Sequence, residues 1–223
     1  MSQKCITIGD IEMVIRMPQI EADKILARIY GKGRGAVCTP KDFHDLASSS
    51  NIRTTLSRLV SDGKLRRLMR GVYEYPEFSP FMNAPASPNP DLFARAVARN
   101  HGWTIQPEGN TALNLLGLST QVPAQWNFFS DGPTKRFQWT GGILSFKHRT
   151  NKETTALSYE TALLVQALKT LGQDRIDDKV LCALCEKIDA KAVARAVREA
   201  QYVTSWVYAA LKRLAAEKER FHA

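Results

Sequence analysis

The chain has 223 residues, of which 44% are hydrophobic, and its formal net charge at pH 7 is +9. This length accommodates one or two domains with apolar cores. No stretch approaches the roughly 20 apolar residues of a membrane-spanning helix, and the N-terminus lacks the basic start and apolar run of a signal peptide. The sequence therefore predicts a cytoplasmic protein and argues against a membrane protein.

The first 38 residues predict an extension, a helix and a short strand. Met1 to Met17 contains the apolar runs CITI and MVIRM, which are compatible with strands or an arm, so the extension at residues 1–18 stays unassigned. Gln19 to Tyr30 repeats apolar side chains at helical spacing and predicts a helix. The following GKGRG lacks the closing Lys-Ser/Thr of a Walker motif, which favours a turn into a strand at Ala36–Cys38.

The stretch TPKDFHDLASSSNIRTTLSRLVSDGKLRRLMRGVYEY, residues 39–75, predicts two short helices and a hairpin. Its first residues are a favourable N-cap and a proline suited to the first helical position, which predicts a helix from Pro40 to about Leu46. Ala47 to Asn51 supplies three serines and an asparagine, residues that favour a turn and a second cap. The second helix should therefore begin near Ile52.

The two faces of that second helix differ in character. At about 100° per residue, one arc is apolar and carries Ile52, Leu56, Leu59 and Val60. The opposite face is short, polar and basic, as a helix that reads the DNA major groove requires, and it carries Thr54, Ser57, Arg58 and Ser61, with Arg53 at its flank. Gly63 ends the helix. KLRRLM then predicts a strand, Arg70-Gly71 a tight turn, and VYEY a returning strand that ends at Pro76.

Charge supports a nucleic-acid-binding role for this segment. Residues 51–70 contain six basic residues and one acid. A packing module or a solvated hairpin edge would explain each feature alone. Helix, turn, polar-faced helix and basic hairpin in this order predict a winged helix-turn-helix that binds double-stranded DNA.

The candidate DNA-binding residues fall into two groups. Those expected to reach base edges from the major groove are Arg53, Thr54, Ser57 and Arg58. Those expected to contact phosphates or the adjacent minor groove are Lys64, Arg66, Arg67 and Arg70. Lys32 and Arg34 are further candidates for phosphate contacts.

A proline-rich segment suggests the domain boundary. Five prolines lie between Pro76 and Pro90, a density that favours an extended, stiff connection. The predicted organisation is therefore a winged helix-turn-helix domain at 1–76, a linker at 77–90 and a second domain at 91–223. Within the second domain, 91–150 is predicted to be α+β and 151–223 helical, so the fold class is α+β.

The second domain is predicted to start with a helix from Asp91 to about His101. A short strand at Trp103–Gln106 and a helix from about Asn110 to Gly117 follow. WNFFSDGPTKRFQWTGGILSFKH contains three β-rich runs separated by turn residues, which predicts a β-meander. The helical part contains four candidate segments, Leu157–Leu171, Ile176–Ile188, Ala190–Tyr202 and Val203–Glu219.

Nothing in the sequence predicts catalysis, a metal site or a cofactor. The four histidines, His44, His101, His148 and His222, lack partners at metal-ligand or triad spacing. Cys182 and Cys185 have CxxC spacing, but they lie in an apolar helical pattern without a second pair, so two small core residues are the favoured interpretation. A nuclease would need clustered acids, and residues 91–150 contain only three.

Residues 19–149 resemble the AbiEi-family antitoxins of abortive-infection toxin–antitoxin pairs. The resemblance rests on TPKDF, LSRLV and RGVYEYP in the first domain, and on GWTIQP, NLLGLSTQVP and SDGP in the second. It implies that the winged domain binds inverted-repeat promoter DNA and represses its own operon, with two copies possible on the DNA. It also implies that the C-terminal part counteracts a cognate nucleotidyltransferase toxin. The alternative is a stand-alone winged-helix transcriptional regulator with a C-terminal protein-interaction domain.

Overall fold

A computed structural model of the chain describes residues 8–121, 123–139, 141–149 and 157–220, with side chains from residue 19 onward. The fold is α+β, as predicted. The chain divides into two compact units between His101 and Gly102. Within the described ranges, no helix combines the length and apolar character needed to cross a membrane.

The first unit contains two helices around a small antiparallel sheet, followed by a hairpin and a third helix. Its sheet has the strand order β1-β3-β2. The elements are α1 (Ile8–Gly31), β1 (Val37–Cys38), a 3₁₀ turn (Pro40–Phe43), α2 (Ser49–Ser61), β2 (Arg66–Met69), β3 (Val72–Glu74), β4 (Phe78–Ser79), β5 (Ala84–Pro85) and α3 (Pro90–His101). The strand at 37–38 and the turn at Arg70-Gly71 confirm the sequence prediction.

Three local boundaries in this unit differ from the prediction. The MVIRM run lies inside α1 and is helical rather than a strand, whereas most of CITI falls outside the described residues. The first short helix is a 3₁₀ turn that ends at Phe43 instead of continuing to Leu46. Helix α2 begins at Ser49, because Ser48 Oγ accepts a hydrogen bond from Asn51 N at 3.3 Å and caps the helix three residues earlier than expected.

The apolar faces of α1, the 3₁₀ turn and α2 form one core. Ile25, Phe43, Ile52 and Leu56 are all fully buried and belong to a single cluster with residues of β1 and β3. Burial of each side chain of this size stabilises the fold by about 1.5–3 kcal/mol. This packing fixes α2 against α1, so that its opposite face is left to solvent.

The predicted linker and domain boundary are wrong. Residues 77–90 are not an extended connection, because β4 and β5 form an antiparallel hairpin within them. Helix α3, predicted to begin the second domain, contacts β1, β3 and the 3₁₀ turn and belongs to the first unit. The physical reason is that α3 has a wide apolar face, with Phe93 and Val97 fully buried, which proline counting cannot assign to one domain or the other.

The second unit contains a four-stranded sheet followed by helices. Its sheet has the strand order β6-β7-β9-β8. The elements are β6 (Ile105–Pro107), α4 (Gly109–Leu115), β7 (Gln125–Ser130), β8 (Lys135–Trp139), β9 (Gly142–His148), α5 (Tyr159–Leu171), α6 (Asp178–Lys187), α7 (Ala190–Glu199) and α8 (Ser205–Arg220), with 3₁₀ turns at Gln173–Arg175 and Ala200–Tyr202.

The predicted β-meander is wrong, although its three strands exist. In a meander, β8 would lie between β7 and β9, but β9 pairs in parallel with β7, and β8 pairs only with β9 at the edge. The burial of the strands explains this order. β9 carries Leu144 and Phe146, both fully buried, whereas β8 begins with two exposed basic residues, Lys135 and Arg136, that suit an edge.

Helices α5–α8 confirm the four helical segments predicted from periodicity. Asp177 and Asp189 cap α6 and α7 by accepting hydrogen bonds from Val180 N and Ala192 N. The helices share one apolar cluster, and Cys185 is buried in it, in agreement with its interpretation as a core residue. None of the three described cysteines, Cys38, Cys182 and Cys185, forms a disulfide.

Candidate nucleic-acid interface

The outward face of α2 is exposed over its whole length. Ile52, Thr55, Leu56 and Leu59 are buried on one face, because helical neighbours three and four apart share a face, and the opposite face is left to solvent. The exposed residues of this face are Arg53, Thr54, Ser57, Arg58 and Ser61, and they line a shallow surface depression of about 560 Å³. All four residues predicted to reach base edges therefore lie together on this face, and all four are exposed.

A basic groove adjoins the N-terminal half of α2. It lies between α2, the 3₁₀ turn and the β2–β3 hairpin and has a volume of about 680 Å³. Four cationic side chains line it, namely Lys41, Arg53, Arg67 and Arg70. No residue that lines this groove is acidic. We call this volume the basic groove, and Arg53 joins it to the outward face of α2.

The cationic groups of this surface have no side-chain partner within the described part of the chain. No side-chain hydrogen bond or ion pair connects Arg53, Arg58, Arg67 or Arg70 to another described residue, and the same is true of the side chain of Lys64, which follows α2. All five side chains belong to exposed residues. Guanidinium and ammonium groups left in this state keep every donor available for an anionic ligand.

Arg66 has a different position from its neighbour Arg67. Its Nε and Nη2 both donate to Glu74 Oε2, at 2.8 and 2.6 Å, and Nη2 also donates to Ala86 O at 2.7 Å. Glu74 is only 2% exposed. Since the guanidinium neutralises a buried carboxylate, we do not include Arg66 in the candidate interface, although the sequence predicted it there.

The Glu74 carboxyl is under two opposing influences. Burial raises its pKa above the ordinary value, and the hydrogen bonds and charge of Arg66 offset part of this increase. The net direction is a raised pKa. Arg66 thus favours the ionised form of this carboxyl against the effect of burial.

Two other arginines also have structural partners. Arg28 donates to both oxygens of Asp45, at 2.6 and 2.7 Å, and these hydrogen bonds keep the pKa of Asp45 below its ordinary value. Arg99 of α3 binds Asp42 and donates to Val37 O. Asp42 in turn accepts from Thr39 N at 2.9 Å. Both contacts fix the segment around the 3₁₀ turn, which forms one wall of the basic groove.

The glycine-rich turn before β1 contains two exposed cations, of which only Arg34 has partners within the described part of the chain. Arg34 Nη1 donates to Pro76 O at 3.1 Å, and its guanidinium lies 4.9 Å from the centre of the Tyr75 ring. Lys32 is exposed. Of the two candidates in this turn, Lys32 therefore remains available for a phosphate, while Arg34 mainly holds the chain after β3.

Comparisons with known proteins identify a family without a known function. Residues 24–197 match the family of unknown function DUF6088. The chain belongs to this family. No curated protein matches the chain. The crystal structure of the RV2827C protein from Mycobacterium tuberculosis is similar with a TM-score of 0.39 and 16% sequence identity, covering 89% of this chain and 77% of that one.

Sequence reasoning missed part of the groove in this DUF6088 chain. Lys41 lies in the 3₁₀ turn and His44 directly follows it, whereas Asn100 and His101 lie at the end of α3. All four residues line the basic groove. A Pro-Lys pair at a helix start was a usable signal for Lys41. Nothing in the sequence placed α3 beside the hairpin, because the two segments are joined by a predicted linker.

The histidines and cysteines of the described residues do not form a metal site. In the described ranges, no three His, Cys, Asp or Glu side chains come together in a way that could hold a metal ion. Burial raises the pKa of the Cys38 thiol to about 12, so it is protonated and inert at neutral pH. Of the CxxC pair of α6, Cys185 is buried in the helical core, whereas Cys182 is half-buried and lies outside the buried cluster.

Proposed function

We propose that the first unit binds double-stranded DNA as a winged helix-turn-helix domain, with α2 in the major groove and the β2–β3 hairpin as the wing. The observation that carries the proposal is the continuous exposed surface of the α2 face and the basic groove. The side chains of its five cations form no hydrogen bond or ion pair within the described part of the chain, and these cations are Lys41, Arg53, Arg58, Arg67 and Arg70. An unneutralised basic surface of this kind attracts the phosphate backbone. We assign base recognition to α2 and phosphate contacts to the cations of the hairpin.

Helix α2 has the length and side chains of a recognition helix. Its 13 residues span about 20 Å at 1.5 Å per residue, and the major groove is about 12 Å wide and admits a helix. Arg53 and Arg58 are able to pair bidentately with guanine, and Thr54 and Ser57 to contact either kind of base edge. These four side chains are proposed to select the sequence.

The remaining cations are proposed to position the domain. Arg67 and Arg70 on the hairpin, Lys41 in the basic groove and Lys64 after α2 flank the recognition face on both sides. Contacts with phosphates carry no sequence information, but they fix the register of the helix on the duplex. Arg66 is excluded from this set because Glu74 holds it.

The biological role is proposed from the resemblance to AbiEi-family antitoxins. We infer that the chain represses its own operon and that its second unit counteracts a nucleotidyltransferase toxin, with two copies on inverted-repeat DNA. A neighbouring reading frame that resembles a nucleotidyltransferase would favour this proposal over a stand-alone regulator. Rescue of toxin-expressing cells by the full chain, and no rescue by a variant that lacks the second unit, would support the division of roles.

The decisive experiment is fluorescence anisotropy of the full chain on its upstream DNA and on scrambled DNA of the same length, over a range of salt concentrations. The proposal expects tight, salt-sensitive binding that prefers the upstream duplex. Arg58→Ala should lose this preference, while Arg220→Ala, on the last turn of α8, is a matched exposed arginine and should not. Equal, weak binding to both duplexes by the unaltered chain would contradict the proposal.

A further inference from the structure

The β4–β5 hairpin presents apolar side chains to solvent at its tip. Phe81 is 99% exposed, Met82 58% and Phe78 49%. Isolated exposed apolar residues are common, but a contiguous group at one projecting turn indicates a contact surface. We refer to Phe78, Phe81 and Met82 as the apolar tip.

The geometry of the hairpin is well defined. Phe78 pairs with Pro85 and Ser79 with Ala84, and Ala86 N donates to Glu77 O at 2.7 Å to close its base. The loop contains Asn83 in the left-handed region, at φ 48°, a conformation that asparagine tolerates better than most residues. The apolar tip therefore lies at the turn of a hydrogen-bonded hairpin.

Arg66 anchors this hairpin to the sheet. The same guanidinium that neutralises Glu74 on β3 donates to Ala86 O at the base of the hairpin, at 2.7 Å. A half-buried charge pair thus connects the sheet that carries the wing to the hairpin that carries the apolar tip. This contact explains why one cation of the basic hairpin is withheld from the surface.

The hairpin adjoins the end of α2 that lies away from the basic groove. Phe78 and Pro85 line a depression of about 270 Å³ together with Gly63 and Lys64, the residues that follow α2. The basic groove instead involves Ser49 and Arg53 at the start of the helix. The proposed recognition helix is therefore flanked by a basic hairpin near one end and by an apolar one near the other.

We propose that the apolar tip is a wedge that enters the DNA minor groove beside the recognition site and partly unstacks a base step. This inference rests on the proposed DNA binding. Phe, Met and Pro are among the side chains with which minor-groove wedges kink DNA, and the loop contains Pro80-Phe81-Met82. Lys64 next to the hairpin supplies a cation for the flanking phosphates. The ligand is a deformable duplex step, and the result is bent DNA.

The test uses the full chain with a duplex of its upstream DNA that carries a donor and an acceptor dye at its ends. A second set of duplexes carries 2-aminopurine at successive positions, whose fluorescence increases when a base unstacks. The variants are Phe81→Ala and Met82→Ala. Tyr202→Ala is the matched control, because Tyr202 is 98% exposed but lies in the second unit.

The unaltered chain is expected to shorten the distance between the dyes and to raise 2-aminopurine fluorescence at one step. Phe81→Ala should remove both signals and weaken binding about tenfold, within the range known for a lost base–aromatic contact. The slope of log affinity against log salt should stay unchanged, since no phosphate contact is lost. Tyr202→Ala should behave like the unaltered chain. Because Phe81 is almost fully exposed, thermal unfolding of the variant should also be unchanged.

Four other outcomes would overturn the proposal. If Phe81→Ala binds and bends DNA like the unaltered chain, the apolar tip does not touch DNA. If that variant instead changes the oligomeric state of the chain, measured as its molar mass in solution, the apolar tip contacts a second copy. If it no longer rescues toxin-expressing cells while DNA binding is unchanged, the apolar tip contacts another protein. If the unaltered chain binds no duplex at all, the proposed function itself fails, which the anisotropy experiment would show independently.

Discussion

Seven arginines of the first unit form two groups that a charge count cannot distinguish. Arg28, Arg66 and Arg99 each bind a carboxylate distant in sequence or on a neighbouring strand, and they hold loops, strands and α3 in place. Arg53, Arg58, Arg67 and Arg70 are exposed, and their side chains form no hydrogen bond or ion pair with the described part of the chain. The comparison teaches that the net positive charge of a domain contains a structural part, and that only the remainder is available to a ligand.

The adjacent pair Arg66 and Arg67 makes the strongest test of this comparison. Removal of the Arg66 guanidinium leaves Glu74 buried without a partner, a change that costs about 3–5 kcal/mol for fully buried pairs. Because the Arg66 side chain is 31% exposed, we expect Arg66→Ala to lower the free energy of unfolding by about 2–3 kcal/mol. Urea unfolding followed by circular dichroism measures this change. Arg67→Ala is the control and should stay within about 0.5 kcal/mol of the unaltered chain.

Arg53 and Arg58 should show the opposite pattern, with binding affected and stability preserved. Replacing either by Ala should weaken binding to the preferred DNA by about 1–3 kcal/mol and relax base preference, provided that the side chain makes a bidentate base contact. Anisotropy titrations on single-base variants of the duplex measure both effects. A uniform loss on all sequences would move the residue from base recognition to phosphate contact.

Arg67 and Arg70 should have a smaller and sequence-independent effect. Each Ala substitution should weaken binding to upstream and scrambled DNA alike and lower the slope of log affinity against log salt by about 0.9 per lost phosphate contact. The salt series measures this slope directly. A change in base preference with an unchanged slope would show that the hairpin reads bases.

The smallest effect is expected at the exposed Arg28–Asp45 pair. Hydrogen bonds from Arg28 keep the pKa of Asp45 below its ordinary value. The Asp45 carboxylate therefore takes up a proton less readily in the folded chain than in the unfolded chain. The stabilisation is therefore present above the ordinary carboxyl pKa and is lost as pH falls through the lowered value. Asp45→Asn should slightly lower the urea midpoint at pH about 7 and have no effect at pH about 2. An equal change at both values would show that charge is not the cause.

Periodicity and cap chemistry were enough to predict most helices. The apolar positions of α2 and of α5 to α8 repeat at helical spacing, and local residues such as Asp177 and Asp189 stop or start the segments. The outward position of Arg53, Thr54, Ser57 and Arg58 followed from the same periodicity, since a buried arc at Ile52 and Leu56 defines the opposite face. Whether these four residues bind DNA remains a prediction.

Pairing between strands was not predictable in the same way. A β-bulge between Arg67 and Met69 shifts the register of the β2–β3 hairpin, so that Arg66 lies opposite Glu74. Without the bulge, regular antiparallel pairing continued from the Met69–Val72 pair would place Arg67 opposite Glu74 instead. The one extra residue of the bulge thus decides that Arg66, and not Arg67, pairs with the buried carboxylate. The order of β7, β8 and β9 escaped prediction for a similar reason, because burial of one strand depends on the others.

The sequence by itself determined the α+β class, the helical segments and the polar, basic face of α2, because these depend on side chains a few positions apart. The tertiary structure decided which arginines are neutralised, that α3 belongs to the first unit, and that the proline-rich stretch forms a hairpin with Phe81 at its tip. These features depend on contacts between residues far apart in the chain. The residues next to a charged or apolar side chain in the sequence do not determine whether that side chain contacts protein or solvent.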